Sequence, residues 1–336
     1  MEKLRMGIVG LGFIGARYIK ILAEEPCAEL IAVYDLDERL TSRLAAQYEC
    51  ACCKRSLELF SRLDIDAVVI CVPESEHHAI AIAAAKAGKH ILLEKPIAKT
   101  VAEAIEIKAA CEKNGVRLMI AQTLLFDSRY IQLHERVKQG ELGEISYIFA
   151  RRQNSARVAR RFQGKVSFLY YLGVHDIVWM LLYANSPPKK IYAQINDVIN
   201  RDVGDQDSAF VTINFENGVI GSLCVNWSLP ENSAITLISD MEVVGSKGMG
   251  VIRVRDHGLE ITTNTDIFRP DCMNWPEVDN IIIDGVLKKG FEHFVRSTVN
   301  KRSYLVDTDI AIRAVSVIEA ALESADIGLP VMCADI

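Results

Sequence analysis

The stretch 6-MGIVGLGFIG-15 decides the fold. Residues 6–10 form a short apolar run ending in glycine, the pattern of a buried strand. Gly10, Gly12 and Gly15 stand at the spacing G-x-G-x-x-G, and a helical pattern covers residues 14–24. Alone the spacing is a weak pattern. Between a strand and a helix it has a mechanism. The first glycine permits the tight turn, the second lets the backbone approach a pyrophosphate, and the third lets helix and strand pack closely. The helix N-terminus adds N–H groups and the positive end of its dipole. Phe13 and Ile14, between the second and third glycines, are counted with the cofactor-binding residues. Asp35 ends the second strand, about twenty residues on, where an acid accepts hydrogen bonds from the adenosine ribose and repels a 2′-phosphate. NAD is therefore expected rather than NADP, although Arg39 and Arg43 stand near enough to meet a phosphate.

Outward from this loop, apolar strand-like runs alternate with helical patterns. Strands are expected at residues 29–35, 66–73, 89–96 and 116–122, with helices at 78–88 and 101–115 between them. Such alternation predicts a doubly wound parallel sheet with right-handed crossovers, a Rossmann domain over residues 1–122. The second half reads differently. Strand-like runs such as SAFVTINFENGVIGSLCVNW carry turn residues between them and predict an α+β domain with a large open, mostly antiparallel sheet over residues 123–336. A helix is expected near 171–184 and two more near 286–300 and 307–326; the pattern leaves room for a late helix to return to the first domain.

The chain has 336 residues, a length suited to two domains. Its net charge of −6 argues against nucleic acid or an anionic membrane as the partner. No apolar run reaches the ~20 residues that span a bilayer, so a cytoplasmic enzyme is expected. Of nine cysteines, Cys50, Cys52 and Cys53 form the only cluster. No second pair completes a metal-ligand set, so reduced thiols and no metal are expected.

Two further stretches carry chemistry. In 92-LLEKPIA-98, Glu94, Lys95 and Pro96 end a buried strand at the carboxyl edge, where open α/β sheets bind ligands. Pro96 restricts Lys95 and fixes where its amine points. A lysine partly desolvated in a cleft loses pKa and can exchange protons near neutrality. In 170-YYLGVHDI-177, His175 follows Tyr171 by four residues, so on an α-helix the two share one face. A packed aromatic pair explains that spacing as well as a proton relay does.

The glycine loop, the Glu-Lys-Pro turn and the histidine helix, in this order, resemble the Gfo/Idh/MocA oxidoreductases, relatives of glucose–fructose oxidoreductase and inositol dehydrogenase. The resemblance extends to 72-VPESEH-77 and 241-MEVVGSKG-248 and covers nearly the whole chain. It implies hydride transfer between a nicotinamide cofactor and a sugar, inositol or related polyol carbon. It implies that Lys95 is the catalytic or hydroxyl-orienting lysine and that His175 binds the reacting hydroxyl and shares the proton. Pro73, His77, Glu94 and Lys95 are then placed at the cofactor. It also implies a dimer or tetramer built through the open sheet.

The chain departs from that family in places. Tyr171 stands where an aspartate is usual, Lys165 and Val166 lie where a double glycine is usual, and Ala121 and Leu125 replace a frequent glycine and arginine. A phenol titrates near 10 and adds no negative charge, so Tyr171 would leave His175 a weaker base and shift the burden to Lys95. Arg151, Arg152, Arg157, Arg160 and Arg161 precede the histidine helix. Their forks suit carboxylate, sulfonate or phosphate oxygens, so Arg152 and Arg157 are expected at an anionic substrate. Substrate contacts are thus expected from Lys95, Arg152, Arg157, Tyr171 and His175, and catalysis from Lys95, His175 and Tyr171.

The first functional reading is an NAD-dependent dehydrogenase of a sugar, sugar acid or inositol. The second is a glycosidase that oxidises an anionic glycoside transiently, eliminates the aglycone and returns the hydride; Tyr170 or Tyr171 would supply its extra acid/base group. A cofactor-binding regulatory protein is the non-enzymatic alternative, against which the intact Lys95 and His175 speak.

Overall fold

Strand β1 (Leu4–Val9) lies at the centre of a six-stranded parallel sheet. The other strands are β2 (Ala28–Tyr34), β3 (Ala51–Cys52), β4 (Ala67–Ile70), β5 (His90–Glu94) and β6 (Leu118–Ala121), in the order β3-β2-β1-β4-β5-β6. Met6, Ile8, Val9 and all of β4 are fully buried. That explains why these strands read as continuous apolar runs: helices cover both faces of the sheet. The helices are α1 (Gly15–Ala23), α2 (Glu38–Gln47), α3 (Ser56–Ser61), α4 (His77–Lys86) and α5 (Val101–Lys113). Helix α1 buries Gly15, Tyr18, Ile19 and Leu22, the stripe of a surface helix. Asp37 caps α2 by accepting from the Arg39 and Leu40 N–H groups, and Thr100 caps α5 through Glu103 N–H. The computed structural model describes residues 3–162, 164, 166–255 and 258–333; Lys165 lies outside them.

The chain divides into two units, Met1–Phe126 with Met273–Asp309, and Asp127–Cys272 with Ile310–Ile336. The second unit opens with α6 (Ser128–Lys138) and carries a seven-stranded sheet. Its strands are β7 (Ile145–Ser155), β8 (Pro188–Asn196), β9 (Ser208–Phe215), β10 (Ile220–Leu229), β11 (Leu237–Gly245), β12 (Gly248–Val254) and, at the end of the chain, the short strand Val331–Met332. Strands β7 and β10 run parallel and the other neighbours antiparallel. Ile148, Ala150, Val211, Leu223, Val225 and Met241 bury one face.

Against that face lies α8 (Val174–Ala184), which follows α7 (Ala156–Phe162). It ends at Asn185 in the left-handed conformation (φ +45°), a position asparagine tolerates. The sequence pattern puts one α-helix at 171–184. The backbone instead enters α8 through a π-helical turn, Leu169–Gly173. Two ribbons follow β12: β13 (Ile261–Thr262) with β14 (Ile267–Phe268), and β15 (Glu277–Val278) with β16 (Ile281–Ile282). Helices α9 (Val286–Val299) and α10 (Thr308–Ile327) close the chain before the last strand, β17. The expected domain of residues 123–336 therefore differs from the observed unit, because α9 and the ribbon before it belong with the dinucleotide sheet. The Phe291 ring of α9 lies 5.8 Å from that of Tyr18, and Gly290 leaves room for the Phe126 ring.

Candidate active site

The site residues fall in both units, and each set is built by its own unit. In the first, Val9, Ile70 and Leu93 stand level across the sheet, so Gly10, Cys71 and Glu94 stand together at one edge. This is the carboxyl edge, and β1 and β4 flank the point where strand order reverses, the place where such sheets bind ligands. Gly10 has φ +88°, and a Cβ there would lie 2.6 Å from the Cys71 carbonyl oxygen. A Cβ on Gly15 would stand 1.9 Å from the Gly10 carbonyl oxygen, whereas one on Gly12 would meet nothing within 4 Å. The first and third glycines are thus demanded by the protein itself. The second faces open space, as a residue must where a ligand backbone approaches. The loop fits a dinucleotide on its geometry.

Asp35 ties this loop together. Its carboxylate accepts from Leu11 N–H at 2.6 Å and from Asp37 N–H at 2.9 Å. A carboxylate has about four acceptor positions, so Asp35 keeps capacity for a ribose diol. Arg39 and Arg43 lie on α2, which starts just beyond.

Pro73 is exposed at the start of the turn after β4. His77, expected at the cofactor, lies beneath the two turns of this edge. It is 1% exposed, with Nδ1 2.7 Å from the Pro96 carbonyl oxygen and Nε2 3.0 Å from that of Val72. Burial lowers its pKa and the two carbonyls oppose that, so the ring joins the turn after β4 to the Glu-Lys-Pro turn from beneath. Glu94 is likewise engaged within the domain. One oxygen accepts from the Tyr18 hydroxyl at 2.9 Å and the other from Lys95 N–H at 3.2 Å. Burial raises the Glu94 pKa, opposed by the Lys95 charge and these two hydrogen bonds. The Lys95–Pro96 peptide is cis. Lys95 is thus held by its neighbours on both sides, half-buried at the same edge as the glycine loop.

In the second unit His175 is half-buried at the second position of α8. Tyr171 comes from the π turn, where its ring lies 4.9 Å from Phe162 and 6.2 Å from Trp227. The neighbouring Tyr170 is buried. Asp176 is fully buried and pairs with Arg152, Nε at 2.5 Å and Nη2 at 3.0 Å from its two oxygens. Burial alone would lower the Arg152 guanidinium pKa, but the Asp176 carboxylate outweighs it and keeps the arginine charged.

Of the arginines expected at an anionic substrate, Arg152 is committed to a buried carboxylate. Neighbours on a strand point to opposite faces. Arg152 points inward from β7 to Asp176, while Arg151 pairs with Asp240 on the other face. Arg157 donates to the Glu231 carbonyl at 2.6 Å, and Arg160 pairs with Asp202 and Glu231. Arg151, Arg152, Arg157 and Arg160 therefore each meet an acceptor of their own unit. Among the described residues no group of three or more His, Cys, Asp or Glu is arranged to hold a metal, and no helix is long and apolar enough to cross a membrane. Sequence reading missed Tyr18 and Arg152 as braces of Glu94 and Asp176, the chain neighbours of Lys95 and His175. The buried stripe of α1 was the available signal for Tyr18; nothing local marked Arg152.

Comparison with known proteins follows the same division. Residues 4–122 match the model of an oxidoreductase family with an NAD-binding Rossmann fold, and residues 130–251 match the GFO/IDH/MocA C-terminal domain. Inositol 2-dehydrogenase of Rhizobium meliloti is 26% identical over 273 residues, 80% of this chain and 81% of that one. An uncharacterized oxidoreductase of Bacillus subtilis is 27% identical over 257 residues, 74% of this chain and 73% of that one. Among solved structures, scyllo-inositol dehydrogenase from Lactobacillus casei with NAD(H) and scyllo-inositol superimposes with a TM-score of 0.85 at 20% identity, covering 98% of this chain and 99% of that one. The matched models span both halves and meet the glycine loop, Asp35 and the Glu-Lys-Pro turn in place: the chain is an NAD-dependent oxidoreductase of the Gfo/Idh/MocA family.

Proposed function

We propose that this enzyme transfers hydride between NAD and a hydroxyl-bearing carbon of an inositol, sugar or related polyol. The observation that carries the reading is Lys95, held on a braced turn at the sheet edge that bears the glycine loop. Relatives named inositol dehydrogenases support the substrate class. Residues 10–15 and Asp35 would hold the cofactor by its pyrophosphate and ribose. Bound NAD supplies the hydride acceptor. Lys95 takes the proton from the reacting hydroxyl, His175 orients that hydroxyl and shares its proton, and Tyr171 assists from the π turn. An anionic substrate is not favoured, because Arg152 and Arg160 are paired with acids and Arg157 with a carbonyl. The redox glycosidase reading keeps Tyr171 as a candidate acid/base group but loses the support that the arginines gave to an anionic glycoside.

The test is a paired assay. NADH absorbance is followed against inositols, hexoses and uronic acids, and chromophore release against the matching nitrophenyl glycosides, with and without NAD. NADH accumulation with a free polyol is expected. NAD-dependent chromophore release without net NADH would replace this reading by the glycosidase.

A homodimer or homotetramer is proposed through the open face of the second unit's sheet. There Tyr147, Phe149, Phe210, Ile220 and Met249 are 37% to 63% exposed, an apolar surface expected to be covered. Sedimentation velocity should give a dimer or tetramer for the wild type and a monomer for Phe210→Asp; a monomeric wild type would refute it.

A further inference from the structure

Residues 273–285, which no sequence motif distinguished, lie along the helix that the glycine loop opens, within the same unit. Phe13, Arg17 and Lys20 follow one another at i, i+4 and i+7, so they line one side of the loop and α1. Arg17 Nη1 donates to the Phe13 carbonyl at 2.6 Å. Its guanidinium carbon stands 3.7 Å from the centre of the Phe13 ring and 4.6 Å from that of Trp275. The Phe13 and Trp275 rings meet edge-on with centroids 5.7 Å apart. Two residues further along, Glu277 pairs with Lys20 at 2.5 Å. The root of this strap is fixed as well. Val286 N–H donates to the Met273 carbonyl at 2.9 Å and Leu287 N–H to that of Asn274 at 3.1 Å. Gly285 turns the chain there at φ +106°, where a Cβ would stand 2.4 Å from the Asn274 carbonyl oxygen.

We infer that Trp275 and Arg17 are cofactor-positioning residues, which hold the glycine loop in its dinucleotide-binding form and slow the release of NAD. The inference rests on the NAD-binding assignment of this unit and extends it to a segment outside both matched models. Phe13 is the exposed large side chain of the loop, at 43%, and without partners its ring and carbonyl would be free to reorient. Arg17 engages the carbonyl, and its cation lies against two aromatic rings that meet edge-on. Both contacts cost nothing further when the nucleotide arrives, which is the advantage of preorganisation. The guanidinium also sets a positive charge beside a loop that receives a diphosphate.

The test measures NADH binding by fluorescence titration and NADH release by stopped-flow displacement. Trp275→Ala should raise the NADH dissociation constant about tenfold, mostly through faster release, given the usual strength of paired aromatic and cation–π contacts. Trp275→Phe should restore most of it. Arg17→Met, which keeps the aliphatic stem and removes charge and donor, should weaken binding similarly. The ligand-free melting temperature should barely move. Folded Trp275→Ala and Arg17→Met proteins with wild-type NADH release would overturn the inference, as would a lowered melting temperature with unchanged release. A wild type that binds no NADH would overturn the cofactor assignment first, and this inference with it.

Discussion

Lys95→Ala should lower kcat by about 10²- to 10⁴-fold, the usual worth of a positioned acid–base group, with a far smaller change in NADH affinity. The substitution leaves the hydrogen bonds of the turn in place, while Glu94 loses the lysine charge that opposes the effect of its burial. The hydrogen bond from residue 95 to Glu94 comes from the backbone, and His77 meets the Pro96 and Val72 carbonyls from below, so neither needs the lysine side chain. A small primary amine added to the assay should recover part of the lost rate in Lys95→Ala. If kcat stayed within tenfold of wild type, the proton would have another acceptor. His175→Ala would then be the variant to compare, since His175 is the other titratable group proposed at the hydroxyl.

Asp176→Ala should destabilise the second unit by about 3–5 kcal/mol, because it leaves the Arg152 guanidinium buried without its counter-charge. A melting temperature lowered by roughly 10 °C is expected. Replacing both members, Asp176→Leu with Arg152→Met, should recover much of the loss, since a buried pair is often no better than apolar residues of similar size. The comparison with Arg160→Ala is informative: its partners Asp202 and Glu231 are exposed, and the melting temperature should not move. Activity adds a second readout. Asp176 adjoins His175 and ties the start of α8 to β7, so the single variant should lose turnover at temperatures where it remains folded. A double variant as unstable as Asp176→Ala would mean that the pair does more than neutralise its own charges.

The two predictions differ in how visible their residues are in the sequence. Lys95 sits in a motif whose meaning is local: a buried strand, a turn and a proline define where the amine stands before any tertiary contact forms. The same holds for Gly15, whose missing Cβ answers to the Gly10 carbonyl five residues back, whereas a Cβ on Gly10 would meet Cys71, which only the folded sheet brings there. It holds for Asp35, placed by the end of its strand. The alternation of strand and helix predicted the parallel sheet for the same reason, since hydrophobic period and handed crossovers are properties of short segments.

Arg152 is the opposite case. Five arginines in eleven residues read as one basic patch, but strand geometry sends Arg151 and Arg152 to opposite faces. Only the packing of α8 on β7 supplies the buried carboxylate that claims one of them. His77 is placed at the cofactor by resemblance alone, and its two carbonyl partners, which come from different turns, are brought to it only by the fold. The π turn at Leu169–Gly173 carries no composition of its own that separates it from the α-helix predicted there. The strap of residues 273–285 is the extreme: Lys20 and Glu277 are separated by 257 positions. What the sequence alone determined was the cofactor fold and the residues whose role follows from a single turn of backbone. What only the tertiary structure decided was which charges are spent on one another and which distant segment holds the loop, because burial and ion pairing depend on neighbours that the chain brings together only when it folds.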